Sequence, residues 1–315
     1  MIRRRSLLAG AALAPLAAPM IARAEARTVK MGSLRLIHSM TPHFYQRFAP
    51  AGQTIEVITF DSPTDGKNAV VTRSVDFGAF GIAAATLGAA AGEPVVVVGA
   101  FCNKGMAIVS KAGSDIHDIA SLKGKRVGIW PGSTQEVFLL ERLRETKMSI
   151  RDVVNVRVPF GEMNAMLARG EVDAYVGAEP GPGLSLSSGV GQLVEYPYGT
   201  PMGGLNMIFA TSDAVIKQDP ALVRTMLGIH RQASDYMMAH LDEVADATVR
   251  ILGAPRPAVE QALKAKNVEY TWRLDDKVIG QAKTYAQQML ALKQIRQLPA
   301  SEGFLNPSFC NELAA

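Results

Sequence analysis

Between residues 29 and 210 short apolar stretches alternate with helical ones, and the alternation runs twice. The first set of predicted strands covers 29–32, 54–60, 75–79 and 95–100, with an alanine-rich helix over 83–91 ended by Gly92. The second covers 107–110, 126–130, 154–158 and 173–177, with helices over 134–146 and 163–169 and further strands over 192–195 and 206–210. Val95-Val96-Val97-Val98 is apolar on both faces, as a strand covered on both sides must be. After Asp219 the chain turns helical, over 221–240, 241–252, 256–265 and 275–292, with a break at Gly253-Ala254-Pro255. Two rounds of βα alternation and a helical tail predict an α/β fold on open, mostly parallel sheets.

The two rounds share a short internal likeness. Thr72-Arg73-Ser74-Val75-Asp76-Phe77-Gly78-Ala79-Phe80-Gly81 has a counterpart in Ala168-Arg169-Gly170-Glu171-Val172-Asp173-Ala174-Tyr175-Val176-Gly177. Each reads as a helix end, then Val-Asp, then a strand that dissolves into small residues. This fits two sheets presenting glycine-rich strand ends to one crevice.

The first residues read as an export signal over 1–24. Arg3-Arg4-Arg5 precedes a small and apolar run broken by Pro15 and Pro19, and Ala22-Arg23-Ala24 is a small-x-small cleavage site. The run is shorter than the roughly 20 residues of a spanning helix, and Arg4-Arg5-Ser6-Leu7-Leu8 resembles a twin-arginine export pattern. Residues 1–24 carry four of the 33 basic side chains and none of the 29 acidic ones, leaving 29 against 29. That balance offers no field for nucleic acid or for a membrane surface. Cys102 and Cys310 are too far apart in sequence for a zinc ribbon or a redox pair. A disulfide and two buried thiols are equal alternatives at this point.

In open α/β sheets a ligand lies beyond the carboxyl ends of strands. Four such ends stand out: Ser33 to Thr41, with His38, Ser39, Met40 and Thr41 toward its end; Gly78-Ala79-Phe80-Gly81; Pro131-Gly132-Ser133-Thr134; and Gly177-Ala178-Glu179-Pro180. Ser133-x-x-Glu136 reads as a capping box at a helix start, where free N–H groups and the helix dipole also suit an anionic or polar group. Glu179 stands among Gly, Ala and Pro, either to accept from a ligand amine or as a solvated carboxylate. His38 and His43 lack a third ligand at metal-site spacing, so no metal and no cofactor is expected. No GxSxG, HExxH, Walker or GxGxxG signature is present, so no catalytic residue is assigned and the chain reads as a non-enzyme.

The segment Asp118-Ile119-Ala120-Ser121-Leu122-Lys123-Gly124-Lys125-Arg126-Val127-Gly128, followed by Pro131-Gly132-Ser133-Thr134, resembles bacterial solute-binding proteins of the nitrate/sulfonate/taurine group, which also holds thiamine-pyrimidine binders. The two Val-Asp strands carry the same likeness. The resemblance implies a two-lobed type II periplasmic binding protein fold, with one lobe over 27–103 plus 212–315, the other over 104–211, and hinges near 102–105 and 211–213. It implies ligand contact at His38, Ser39, Met40, Thr41, Ala79, Phe80, Gly81, Ser133 and Thr134. Gly132 and Glu179 are candidates from the strand-end reading, and Glu179 departs from the aromatic-containing loop often seen there in sulfonate and nitrate binders. It further implies a monomeric, soluble periplasmic receptor that passes a small organic or oxyanion solute to the permease and ATPase subunits of an ABC importer. With no Trp near Glu179 and no evident Arg or Lys in the four loops, a neutral or amine-bearing heterocycle such as a thiamine pyrimidine precursor is the alternative ligand. An enzyme on the same fold, of the pyrimidine synthase or chorismate-derived dehydratase type, is the alternative function.

Overall fold

The computed structural model describes residues 27–300 and 303–314. The expected export signal over 1–24 lies outside the described residues. Among those described, no helix is long and apolar enough to cross a membrane.

Among the described residues eleven strands form two sheets. They are β1 (Arg27–Leu34), β2 (Gln53–Phe60), β3 (Phe77–Gly81), β4 (Val95–Lys104), β5 (Met106–Lys111), β6 (Arg126–Ile129), β7 (Val154–Arg157), β8 (Ala174–Ala178), β9 (Gly191–Glu195), β10 (Leu205–Ser212) and β11 (Val268–Tyr270). The first sheet has six strands in the order β11-β4-β10-β3-β1-β2, and the second has five in the order β7-β6-β8-β5-β9.

The α/β class holds, but the sheets are mixed rather than mostly parallel. Pairings of β1 with β2 and β3, and of β6 with β7 and β8, are parallel. Pairings made by β10, β5 and β11 are antiparallel. The physical reason is the crossing of the chain between sheets. β4 leaves the first sheet and β5 enters the second, then β10 returns to the first between β3 and β4. A strand arriving from the other half runs against its neighbours. β11, three residues at a sheet edge, is too short to give a period-two signal in the sequence.

The repeated Val-Asp motif does the same work in each sheet. Asp76 Oδ2 accepts from the Lys30 N–H at 2.8 Å, while the Asp76 N–H donates to the Lys30 carbonyl. Asp173 Oδ2 accepts from the Arg126 N–H at 2.8 Å, and its own N–H donates to the Arg126 carbonyl. Each aspartate therefore extends a parallel ladder by one rung just before regular pairing starts, at Met31 with Phe77 and at Val127 with Ala174. A one-residue slip would turn every apolar side chain of the strand to the wrong face, and each aspartate marks the native register of one parallel pair, β1 with β3 and β6 with β8.

The core follows the sheets. Phe77 stacks on Phe209 with centroids 5.4 Å apart, and Phe209 neighbours Phe101 and His230. Burial lowers the His230 pKa to about 4, so the ring is neutral, and its Nε2 lies 3.0 Å from the Ala100 carbonyl. Helices expected after Asp219 form as Pro220–Ala239, Leu241–Leu252, Arg256–Lys264 and Asp276–Ala291. The Arg256–Lys264 helix packs on the Gly181–Ser187 helix that follows β8, so the helical tail bridges the two sheets.

Candidate functional site

Where the strand ends of the two sheets face each other there is a cleft of about 920 Å³. From the first sheet come Arg35 and Leu36 after β1, and the turn after β2 that carries Asp61, Ser62, Thr64 and Asp65. From the second come Trp130 and Pro131 after β6, Arg157 and the turn to Asn164 at the end of β7, and Ala178, Pro180, Gly181 and Leu184 at and after the end of β8. The turn around Gly253, between the Leu241–Leu252 and Arg256–Lys264 helices, completes the wall.

The chemistry of the wall is built locally. Ser62 caps the Pro63–Val71 helix: its Oγ accepts from the Asp65 N–H at 3.1 Å and donates to Asp65 Oδ2 at 2.7 Å. Arg35 pairs with Asp61 at 3.2 Å, both well exposed. Trp130, the last residue before the Pro131 turn, is half-buried, and the Arg157 guanidinium lies 5.2 Å from its ring centroid. Phe160 stands 6.4 Å from Trp130, tilted by 46°. Asn164 Oδ1 accepts from Ser185 Oγ at 2.8 Å, and that oxygen is 2.7 Å from the buried Tyr175 hydroxyl.

Arg35, Leu36, Pro131, Ala178 and Pro180 of the four strand ends line this cleft, but none of the eleven candidate contact residues His38–Thr41, Ala79–Gly81, Gly132–Thr134 and Glu179 does. They form the packed seam beneath it, and all but Gly132 are buried. Ser39 Oγ accepts from the Leu34 N–H at 2.8 Å and closes the loop after β1 on itself. His38 packs against Gly105, where burial lowers its pKa to about 3. Its Nδ1 and the Thr41 hydroxyl lack a protein partner, and Met40 is buried beside them. Ala79, Phe80 and Gly81 are taken up in the ladder with Phe209, Ile208 and Met207. Gly81 faces Thr134 so closely that a Cβ would run into the threonine hydroxyl. The strand ends of the two sheets touch at these small residues, so the open space begins one or two positions along the chain, at Leu36, Pro131 and Pro180.

Ser133 caps its helix as expected, accepting from the Glu136 N–H at 3.1 Å. The return arm of the box differs. Glu136 Oε2 accepts from the Gly132 N–H at 2.7 Å and from Gln294 Nε2 at 3.1 Å, so it joins the second sheet to the helical tail. Burial pushes the Glu136 carboxyl up.

Glu179 is not a solvated loop carboxylate. Its Oε2 accepts from the Gly183 N–H and its Oε1 from Asn267 Nδ2, each at 2.8 Å. Asn267 also holds Tyr198 and the Met106 carbonyl, beside the β4–β5 crossing. Burial pushes the Glu179 carboxyl up to about 7, against the pull of its two donors.

The expectation is a site with no Trp near Glu179 and no evident Arg or Lys in the four loops, yet the cleft is where rings and guanidiniums gather. Trp130, Arg157 and Arg35 all line the cleft. Arg35 stands in the first of the four loops, and its cue was the exposed position just after an apolar strand. Trp130 and Arg157, being strand-end residues of β6 and β7, had their positions in the sequence but no pattern joining them. The cysteines are two buried free thiols, and among the described residues no cluster of His, Cys, Asp and Glu could hold a metal.

Comparison with known proteins gives consistent matches. A family model described as NMT1/THI5 like matches residues 47–244. An Escherichia coli (strain K12) protein named for binding aliphatic sulfonates is 21% identical over 74% of this chain and 72% of its own length. A Haemophilus influenzae protein named for thiamine biosynthesis is 28% identical over 51% of each chain. The alkanesulfonate-binding protein of Xanthomonas axonopodis pv. citri, solved with bound MOPS, superposes with a TM-score of 0.79 at 22% identity, over 90% of this chain and 100% of that one. The shared fold is the two-sheet type II periplasmic binding protein fold.

Proposed function

Because this chain belongs to the NMT1/THI5-like family, we propose that it is the solute-binding component of an ABC importer, capturing a small organic or oxyanion solute in the periplasm. The observation that carries this reading is the cleft of about 920 Å³, walled by strand ends of two separate sheets and holding two arginines. Ligand pockets of this size sit at such junctions and close by hinge motion. One lobe is residues 27–103 with 212–315, the other residues 104–211, and the protein acts as a monomer. The seam at His38–Thr41, Ala79–Gly81, Gly132–Thr134 and Glu179 meets ligand only when the lobes part. Binding, not turnover, is the proposed activity. The wall offers carboxylates, guanidiniums, hydroxyls and rings that can hold a solute by several polar contacts.

The test is a thermal-shift and calorimetric screen of residues 25–315 against alkanesulfonates, taurine, nitrate, aminopyrimidines and aromatic acids. A ligand that binds only the folded state raises the melting temperature by linkage. Turnover of any of these compounds without stable binding would overturn the reading.

A further inference from the structure

We infer that the cleft selects a planar aromatic molecule bearing both an anionic substituent and an amino group, with Trp130 and Arg157 as the specificity-determining pair. The inference rests on the cleft being the ligand site.

Three observations carry it. The first is shape. Trp130 and Phe160, contributed by the ends of different strands, stand 6.4 Å apart in one wall, and the planar Arg157 guanidinium lies 5.2 Å over the Trp130 ring. Two rings tilted by 46° and a guanidinium make an angled, polarisable surface that an aromatic ring can meet by face and edge better than a flexible chain can. The second is the identity of the free cation. Arg35 is engaged by Asp61, whereas Arg157 makes no ion pair among the described residues and so keeps its donors for a ligand anion. The third is charge balance. Asp61, Asp65 and Glu162 face the same space as the two arginines. With Arg35 and Asp61 neutralising each other, Arg157 stands against two carboxylates. A ligand that was only an anion would meet a wall of net negative charge. One that also carried an amino group would satisfy Arg157 at one end and Asp65 or Glu162 at the other.

The experiment uses residues 25–315 with W272F as parent. Trp272 is buried away from the cleft, so this substitution leaves Trp130 as the sole indole reporter. The probes are 4-aminobenzenesulfonate, benzenesulfonate, pentane-1-sulfonate and taurine, titrated by fluorescence and by calorimetry. Expected is quenching of Trp130 and binding of 4-aminobenzenesulfonate at least tenfold tighter than each of the other three. W130L is expected to abolish the preference for the aromatic over the alkyl sulfonate. R157Q is expected to weaken every sulfonate by tenfold or more. Pentane-1-sulfonate or taurine binding as tightly as 4-aminobenzenesulfonate would overturn the inference and leave the transport reading standing. No binding by any probe, with no hit in the wider solute screen, would overturn both. The affinity order is measured in the parent, so it decides the matter even if a cleft variant folds poorly.

Discussion

Glu179 and Asn267 stand at the ends of elements from different sheets, yet the Asn267 amide donates to the Glu179 carboxylate at 2.8 Å, beside the crossing from β4 to β5. Tyr198, whose hydroxyl donates to Asn267 Oδ1, extends the buried cluster. Burial pushes the Glu179 carboxyl from its usual 4.5 up to about 7. Between those values the folded protein keeps a proton that the unfolded chain has released. Stability therefore falls as pH rises through that window and levels off above about 7, a loss of roughly 3 kcal/mol from this group. In Glu179→Gln one oxygen is replaced by an amide that faces a donor, costing about 1 kcal/mol at low pH, but the slope is gone. Melting temperatures of the two proteins without ligand, compared at pH 5 and pH 8, are expected to shift in favour of the variant by about 5 °C across that range. A constant difference would show that the carboxyl is ionised throughout.

Gly81 meets Thr134 across the seam, and its φ of −64° is one that alanine adopts without strain. Space alone forbids a side chain there. Gly81→Ala is expected to cost about 1–3 kcal/mol, because the new methyl group presses on the threonine hydroxyl in a packed site. Thr134→Ala removes that oxygen and leaves only ordinary contact. The double variant is expected to recover at least about 1 kcal/mol relative to the sum of the singles. Urea titration of the four proteins checks it, and additivity would mean that the two residues are not in contact in solution.

Much of the architecture was legible because it is local. Ten of the strands announced themselves by apolar runs or period-two alternation, and the Met163–Arg169 and Leu241–Leu252 helices fall where their breakers put them. Mixed pairing was not legible, since the direction of β10 depends on a return from the other sheet and not on its own residues. The site was legible only to the right strand ends. Sequence pointed to small residues such as Gly81 and Ser133, but small residues are where the sheets can touch, so they became the seam. The wall fell to bulky neighbours, Trp130, Arg157 and Phe160, whose proximity depends on the packing of β6 against β7.

Cys102 on β4 and Cys310 on the last helix are buried and unlinked, and the single Cys310 S–H lies within hydrogen-bond reach of the Val98 and Trp272 carbonyls, at 3.3 and 3.4 Å. Burial pushes the Cys310 thiol up to about 11 and the Cys102 thiol higher still. Because the thiolate is the reactive form, both are expected to resist a thiol reagent at pH 8 in the native protein. Two equivalents should react at once in denaturant, without a reducing agent. None reacting there would show a disulfide between them.

Asp76 and Asp173 offer a comparison inside one chain, because each accepts a backbone N–H of the neighbouring parallel strand at 2.8 Å. Asp173 also holds the Arg126 guanidinium, which keeps its carboxyl below the usual range. Replacing either by alanine leaves a strand N–H without its charged acceptor, at a cost of about 1.5–3 kcal/mol. The surface pair with Arg126 adds at most about 1 kcal/mol to the loss at Asp173. Asp173→Ala should therefore be the more damaging change at pH 7. As its lowered pKa places its contribution above the acid range, the excess should shrink when the measurement is repeated near pH 3. Amide exchange locates the effect: Asp76→Ala is expected to speed exchange at Lys30 and along β1, and Asp173→Ala at Arg126 and along β6. Matching local losses in both sheets would establish that the repeated Val-Asp pair is a register pin. Exchange rising uniformly over the whole chain would assign the two aspartates to global stability instead.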